Sequence, residues 1–109
     1  MKKYSKNHLW VDFDTAQIGL TEFAVSALGG VLYFELPKIG EALTKNEAFG
    51  SFESAKLVME LTAPVSGLVI AVNSKAKNAE WLLQLTDIED NNELLNKAEY
   101  DAFVAVEFA

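Results

Sequence analysis

The sequence predicts a mainly β domain with one short helix in its N-terminal half and a second helix at its C-terminal end. Three observations predict it. Two runs flanking Glu53-Ser54-Ala55-Lys56 alternate at period two, and further short β-prone runs recur along the chain. Glycine, proline, asparagine and aspartate fall between these runs, where chain reversals need them. The C-terminal stretch changes period: Leu94, Leu95, Ala98, Ala102 and Phe103 recur at helical spacing. With 109 residues, half of them hydrophobic, the chain suits one domain, residues 1–109, with its own core.

The elements follow in order. Met1 to Asn7 is polar and reads as a loose lead-in. His8 to Phe13 and Ala16 to Leu20 read as strands, with Asp12, Asp14 and Thr15 suited to the turn between them. Thr21 is placed to cap a helix over Glu22 to Leu28, which Gly29-Gly30 ends. Val31 to Leu36 is β-prone and closed by Pro37; Lys38 to Glu47, with Gly40, reads as a loop or short hairpin. Between Phe49 and Gly67 two alternating runs flank Glu53-Ser54-Ala55-Lys56, which puts Lys56 near the tip of a β-hairpin. Gly67 is expected either at positive φ or under a closely packed backbone. Leu68 to Val72 and Trp81 to Leu85 are two more strands, separated by the polar tract Asn73 to Glu80. Asp90, with Glu93 three residues later, has the pattern of a capping box for the last helix. Gly40 followed by Lys45-Asn46-Glu47-Ala48-Phe49 is echoed by Gly67 followed by Lys77-Asn78-Ala79-Glu80-Trp81. Such an echo suits a two-sheet sandwich with approximate two-fold symmetry.

Composition excludes several functions. The net charge of −7 opposes nucleic acid, whose phosphates need Lys and Arg, and favours partners with basic docking faces. No apolar run approaches a membrane span, and the opening MKKYSKNHLW has no apolar core of a secretory signal. Cysteine is absent, which removes disulfides and thiolate metal sites, fits a cytoplasmic setting, and means that any thiol chemistry arrives on a cofactor. The single histidine, His8, builds neither a metal site nor a Ser-His-Asp set, and no phosphate-loop motif follows Gly29-Gly30.

Glu53-Ser54-Ala55-Lys56, followed by Pro64-Val65-Ser66-Gly67, resembles the lipoyl-attachment segment of the glycine cleavage system H protein family. That family reads Glu-Ser-Val-Lys-Ala and then Ser-Pro-Val-Ser-Gly. The likeness extends along the chain. Lys3 to Val11 resembles Lys-Tyr-Ser-x-x-His-Glu-Trp-Val, and Ile18 to Gly29 resembles Val-Gly-Ile-Thr-x-x-Ala-x-x-x-Leu-Gly. Phe34-Glu35-Leu36-Pro37 with Gly40, Val69 to Asn73, Trp81-Leu82 and Tyr100 to Phe103 match further pieces in order. The resemblance implies a lipoyl/biotinyl-type flattened β-barrel or hybrid sandwich. It also implies a carrier, not an enzyme: a lipoate ligase or lipoyltransferase would join lipoate to Lys56 as an amide. Glu53, Ser54, Ala55, Glu60 and Gly67 would then serve recognition by the ligase or partners. In the family the swinging arm takes an aminomethyl group from a pyridoxal-phosphate glycine decarboxylase to an aminomethyltransferase, and a dihydrolipoyl dehydrogenase reoxidises it.

The chain departs from the family pattern in places. Only seven residues separate Asn73 from Trp81, where the family has a longer segment. The family's His-Glu-Trp is His8-Leu9-Trp10, and its Thr-Asp/Glu-His-Ala is Thr21-Glu22-Phe23-Ala24, so Leu9 and Phe23 stand where the family associates Glu and His with the arm-docking cleft. Two alternatives follow: a specialised carrier serving lipoate relay or a redox-linked modification system, and, in another class, a non-lipoylated binding module on the same fold. A biotin carrier fits less well, because its lysine usually sits between methionines, whereas Ala55 and Leu57 flank Lys56.

Overall fold

The computed structural model describes residues 1–89 and 93–107. Among the described residues, nine strands form two antiparallel sheets that pack as a flattened sandwich, with two helices. The larger sheet runs in the order β1 (Lys2–Tyr4), β2 (Leu9–Asp12), β3 (Gln17–Leu20), β9 (Trp81–Thr86), β8 (Gly67–Val72), β5 (Ala42–Leu43). The smaller runs β4 (Val31–Glu35), β6 (Ala48–Ser54), β7 (Val58–Thr62). The helices are α1 (Glu22–Ala27) and α2 (Lys97–Glu107). No helix among the described residues is long and apolar enough to cross a membrane.

The core is aliphatic. Leu9, Val11, Ile18, Leu20, Leu61, Val65, Val69, Leu82, Leu83 and Leu85 are at most 1% exposed. Consecutive strand residues face opposite ways, so the burial of both Leu82 and Leu83 shows β9 covered on both faces where it lies between β3 and β8.

Thr21 caps α1 as expected: its Oγ accepts from the Ala24 N–H at 3.2 Å. The helix ends one residue earlier than the pattern indicated. Gly29 and Gly30 turn through φ of 74° and 101°, and the Gly30 N–H reaches back to the Val25 carbonyl at 2.9 Å. The loop-or-hairpin segment resolves into β5, paired with Gly67 and Leu68 of β8. The internal echo has a structural counterpart, for Asn46 and Asn78 both turn at positive φ, 70° and 53°, shortly before β6 and β9.

Three expectations are corrected. Met1 to Asn7 is not a loose lead-in, because Lys2–Tyr4 forms β1 against β2. Tyr4 anchors it by stacking on Tyr100 at 5.0 Å and exchanging backbone hydrogen bonds with Leu95 at 2.7 and 2.8 Å. The last helix starts at Lys97, so Leu94 and Leu95 precede it. Its capping box is Asn96 with Glu99: the Glu99 N–H donates to Asn96 Oδ1 at 2.8 Å, and the Asn96 N–H donates to Glu99 Oε1 at 2.9 Å. Asp90, the expected cap, lies outside the described residues. Ala98 and Ala102 are exposed, and the helix buries Tyr100 and half-buries Phe103 instead.

Candidate functional site

The hairpin of β6 and β7 pairs Ser51 with Glu60, Phe52 with Met59 and Glu53 with Val58, and Ala55-Lys56-Leu57 form the loop between the strands. None of the three takes positive φ. Ser54 holds the turn from inside. Its side chain belongs to a residue only 4% exposed, and its Oγ accepts from the Lys56 and Leu57 N–H groups, each at 3.2 Å, while donating to the Leu57 carbonyl at 3.1 Å. The buried hydroxyl is thus fully satisfied, as burial demands. The Ser54 N–H adds a second bond to the Leu57 carbonyl at 2.9 Å.

Lys56 projects from this turn with its side chain exposed. Its Nζ donates to the Ala27 carbonyl at 3.1 Å, at the C-terminal end of α1. That end has no basic residue of its own, and a cation there is favoured by the helix dipole. Ala27 also lines a groove of about 340 Å³ between α1 and the hairpin. Phe23 and Ala24 of α1 and its C-cap Leu28 form one wall, and Phe52 and Met59 of the hairpin form the other. The Lys56 ammonium is therefore bonded to a residue of the wall of a mostly hydrocarbon groove.

Polar residues also border this groove: Glu60 and Thr62 from β7, Glu107 from α2, and Lys6, Asn7 and His8 from the turn before β2. His8 stands at φ 69°, with Nδ1 2.8 Å from the Tyr100 hydroxyl, which is itself 2.8 Å from Thr21 Oγ. Its ring lies 5.5 Å from that of Phe23 and 6.1 Å from that of Phe103. Burial pushes the imidazole below its ordinary value, with the Glu107 carboxylate pulling partly the other way. Burial likewise raises the Tyr100 hydroxyl. Among the described residues no cluster of His, Asp or Glu is arranged to hold a metal.

The structure separates the residues that sequence reasoning grouped. Lys56, Ala55 and Ser54 form the turn, Glu53 lies exposed on the outward side of β6, and Glu60 reaches the groove. Phe23 lines the groove, but Leu9 does not: it is 1% exposed in the core. Gly67 sits in the other sheet, paired with Leu43. It has no positive φ. A Cβ there would lie 2.9 Å from the Thr86 carbonyl oxygen, so the close-packing alternative is the one realised. The Ala27 carbonyl left no trace in sequence, since any residue supplies one. Met59 was legible as the inward member of an alternating strand, and His8 as the lone imidazole beside Leu9-Trp10.

Comparison with known proteins agrees with this geometry. The family described as Glycine cleavage H-protein matches residues 2–107. A glycine cleavage system H protein of Koribacter versatilis is 42% identical over 117 aligned positions, covering 96% of this chain and 92% of its own. One from Anoxybacillus flavithermus is 45% identical over 101 positions, covering 91% and 70%. The crystal structure of a glycine cleavage system H protein from Mycobacterium marinum superposes with a TM-score of 0.77 at 28% identity, over 99% of this chain and 97% of that one. With nearly its whole length matched and its two-sheet sandwich shared, this chain belongs to the glycine cleavage H-protein family.

Proposed function

We propose that this chain is a cytoplasmic lipoyl carrier of glycine cleavage, bearing lipoate as an amide on Lys56. The observation that carries the reading is the position of the Lys56 amine: on a hairpin turn held by Ser54, and bonded to the Ala27 carbonyl on the wall of an apolar groove. The residues present fit the group. Acylation removes the lysine charge, so an acyl chain can lie along Phe23, Leu28, Phe52 and Met59 without taking a cation out of water. The remaining amide N–H keeps a donor for the Ala27 carbonyl. When bound, lipoate would supply a dithiolane able to take up an aminomethyl group and reducing equivalents.

The chain's own residues attach, present and shelter. Ser54 fixes the turn so that a ligase or lipoyltransferase meets one backbone shape, and exposed Glu53 offers it a carboxylate three residues before the acceptor lysine. Glu60 and Glu107 set two carboxylates against the one ammonium of Lys6 at the groove, a net negative rim that suits a cationic amine, while the hydrocarbon walls suit the apolar oxidised ring. Of the two hydrocarbon substitutions in the arm-docking pattern, only Phe23 bears on cargo, because Leu9 is in the core. The groove therefore favours glycine cleavage over a relay that never holds an amine. Glycine decarboxylase, aminomethyltransferase and dihydrolipoyl dehydrogenase are the partner enzymes, and tethering makes delivery between them nearly intramolecular.

The test is acylation by a purified lipoate ligase, read by intact mass and peptide mapping. Wild type should gain one lipoyl group on Lys56. Lys56→Arg should gain none, since arginine keeps the charge but offers no acylable amine. Lipoate incorporated into Lys56→Arg would overturn the assignment.

A further inference from the structure

The outward face of the smaller sheet carries a second surface. Across β4, β6 and β7 one row reads Tyr33, Glu53, Val58, and the next reads Glu35, Ser51, Glu60. Directly paired residues share a face, as do residues two apart along a strand, so these side chains project together, with Glu60 at the rim, where the edge strand β7 also borders the α1 groove. Tyr33 and Val58 are 60% and 65% exposed, and Leu32, at the bulge between Val31 and Tyr33, is 71% exposed. Beside them a trough of about 350 Å³ separates β4 from the turn after β8; Leu32, Phe34, Leu36, Val72 and Ala76 form its apolar part, and Asn73 and Ser74 its polar part.

Scattered exposed apolar residues are ordinary, but these are clustered, border a concavity and stand among acids. Among the described residues no cation lies within ion-pair distance of Glu35 or Glu53, and the whole chain carries −7. Hydrocarbon framed by uncompensated carboxylate calls for a ligand of the opposite pattern. We propose that this face docks a basic segment of a partner protein, with one apolar side chain seated in the trough and Arg or Lys on Glu35 and Glu53. Phosphate-bearing surfaces are repelled here, which leaves a protein as the occupant. The face adjoins the Lys56 turn, since Val31 pairs with Ser54. A partner held there has the arm beside it, and acylation strengthens the attraction by removing the Lys56 cation. The surface stands on its own geometry and holds whether or not Lys56 is the acylated residue.

The test uses the hexapeptide acetyl-Arg-Lys-Phe-Leu-Lys-Arg-amide as probe, titrated into 15N-labelled full-length protein. Saturable shifts should centre on Leu32, Phe34, Val72 and Ala76. Affinity should fall about tenfold in the Leu32→Ser/Tyr33→Ser variant, the scale of losing one apolar anchor. It should fall severalfold in Glu35→Gln/Glu53→Gln and on raising salt from about 50 to about 300 mM, as screened charge pairs require. All four positions are exposed, so the variants should melt with wild type. Lys56→Gln, a neutral stand-in for the acylated lysine, should bind more tightly. The proposal is overturned by absence of saturable binding, by shifts that map to Phe23 and Met59 instead, by equal binding of an acidic peptide of the same apolar centre, or by affinity indifferent to these variants.

Discussion

Replacing Ser54 with alanine tests the site at its least conspicuous residue. The substitution removes one hydroxyl and three hydrogen bonds: two accepted from the Lys56 and Leu57 N–H groups and one donated to the Leu57 carbonyl. Each neutral bond is worth about 1 kcal/mol net, but the three share one oxygen, and the freed N–H groups lie at an exposed turn where water reaches them. The expected loss is therefore about 1–2 kcal/mol rather than the sum. For a domain of this size that lowers the melting temperature by roughly 5–15 °C. Urea unfolding at unchanged m-value should show it as a lower midpoint, and amide exchange at Lys56 and Leu57 should accelerate more than in the core. Because the turn no longer holds one shape, a ligase should acylate Lys56 more slowly. Ser54→Thr keeps the hydroxyl and should recover part of both effects. A midpoint and an acylation rate both equal to wild type would refute the idea that Ser54 fixes the turn.

Gly67→Val should cost about 1–3 kcal/mol by overpacking, because a Cβ there meets the Thr86 oxygen at 2.9 Å and Ile88 Cγ2 at 3.2 Å. Since Gly67 lies in the other sheet, acylation of the folded variant should proceed at the wild-type rate; a normal melting temperature would show that β8 and β9 accommodate the side chain. His8 is held below its ordinary value by burial, so the unfolded chain binds its proton more readily than the folded one. Stability from this group should be complete above about pH 6.5 and decline as pH falls below it, and His8→Gln should flatten that decline in unfolding midpoints measured from pH 7.5 to 5. Glu60→Gln should release methylamine from the loaded carrier severalfold faster, corresponding to about 1 kcal/mol for a weakened charge-assisted contact at an exposed rim. An unchanged release rate would remove Glu60 from cargo retention.

Much of this architecture was legible because strand and turn chemistry are local. The hairpin at Lys56, the Thr21 cap and the Gly29-Gly30 stop depend on neighbours in sequence, and the structure places all of them where the pattern did. What escaped depended on distant partners. Lys2-Lys3-Tyr4 shows no apolar alternation, and it becomes a strand because Tyr4 finds Tyr100 and Leu95 at the far end of the chain. Leu94 and Leu95 happened to continue the spacing of a helix that starts only after Asn96. Leu9 and Phe23 looked equivalent as substituted motif positions, yet strand parity turns Leu9 into the core while α1 turns Phe23 into the groove. The groove itself joins α1 to a hairpin thirty or so residues away, and its anchor for Lys56 is a backbone carbonyl that no sequence pattern encodes.

The central claim is that Lys56 and the α1–hairpin groove form one site, with the acylated side chain lying along the groove walls. Methyl and aromatic NMR spectra before and after enzymatic lipoylation test it most directly. The account predicts that modification shifts Ala27, Leu28, Met59 and Phe23, while Val65 and Val69 in the core stay fixed. Spectra in which a fully lipoylated protein changes only at residues 54–57 would contradict it, leaving the lysine as an attachment point and the groove without a part in holding the arm.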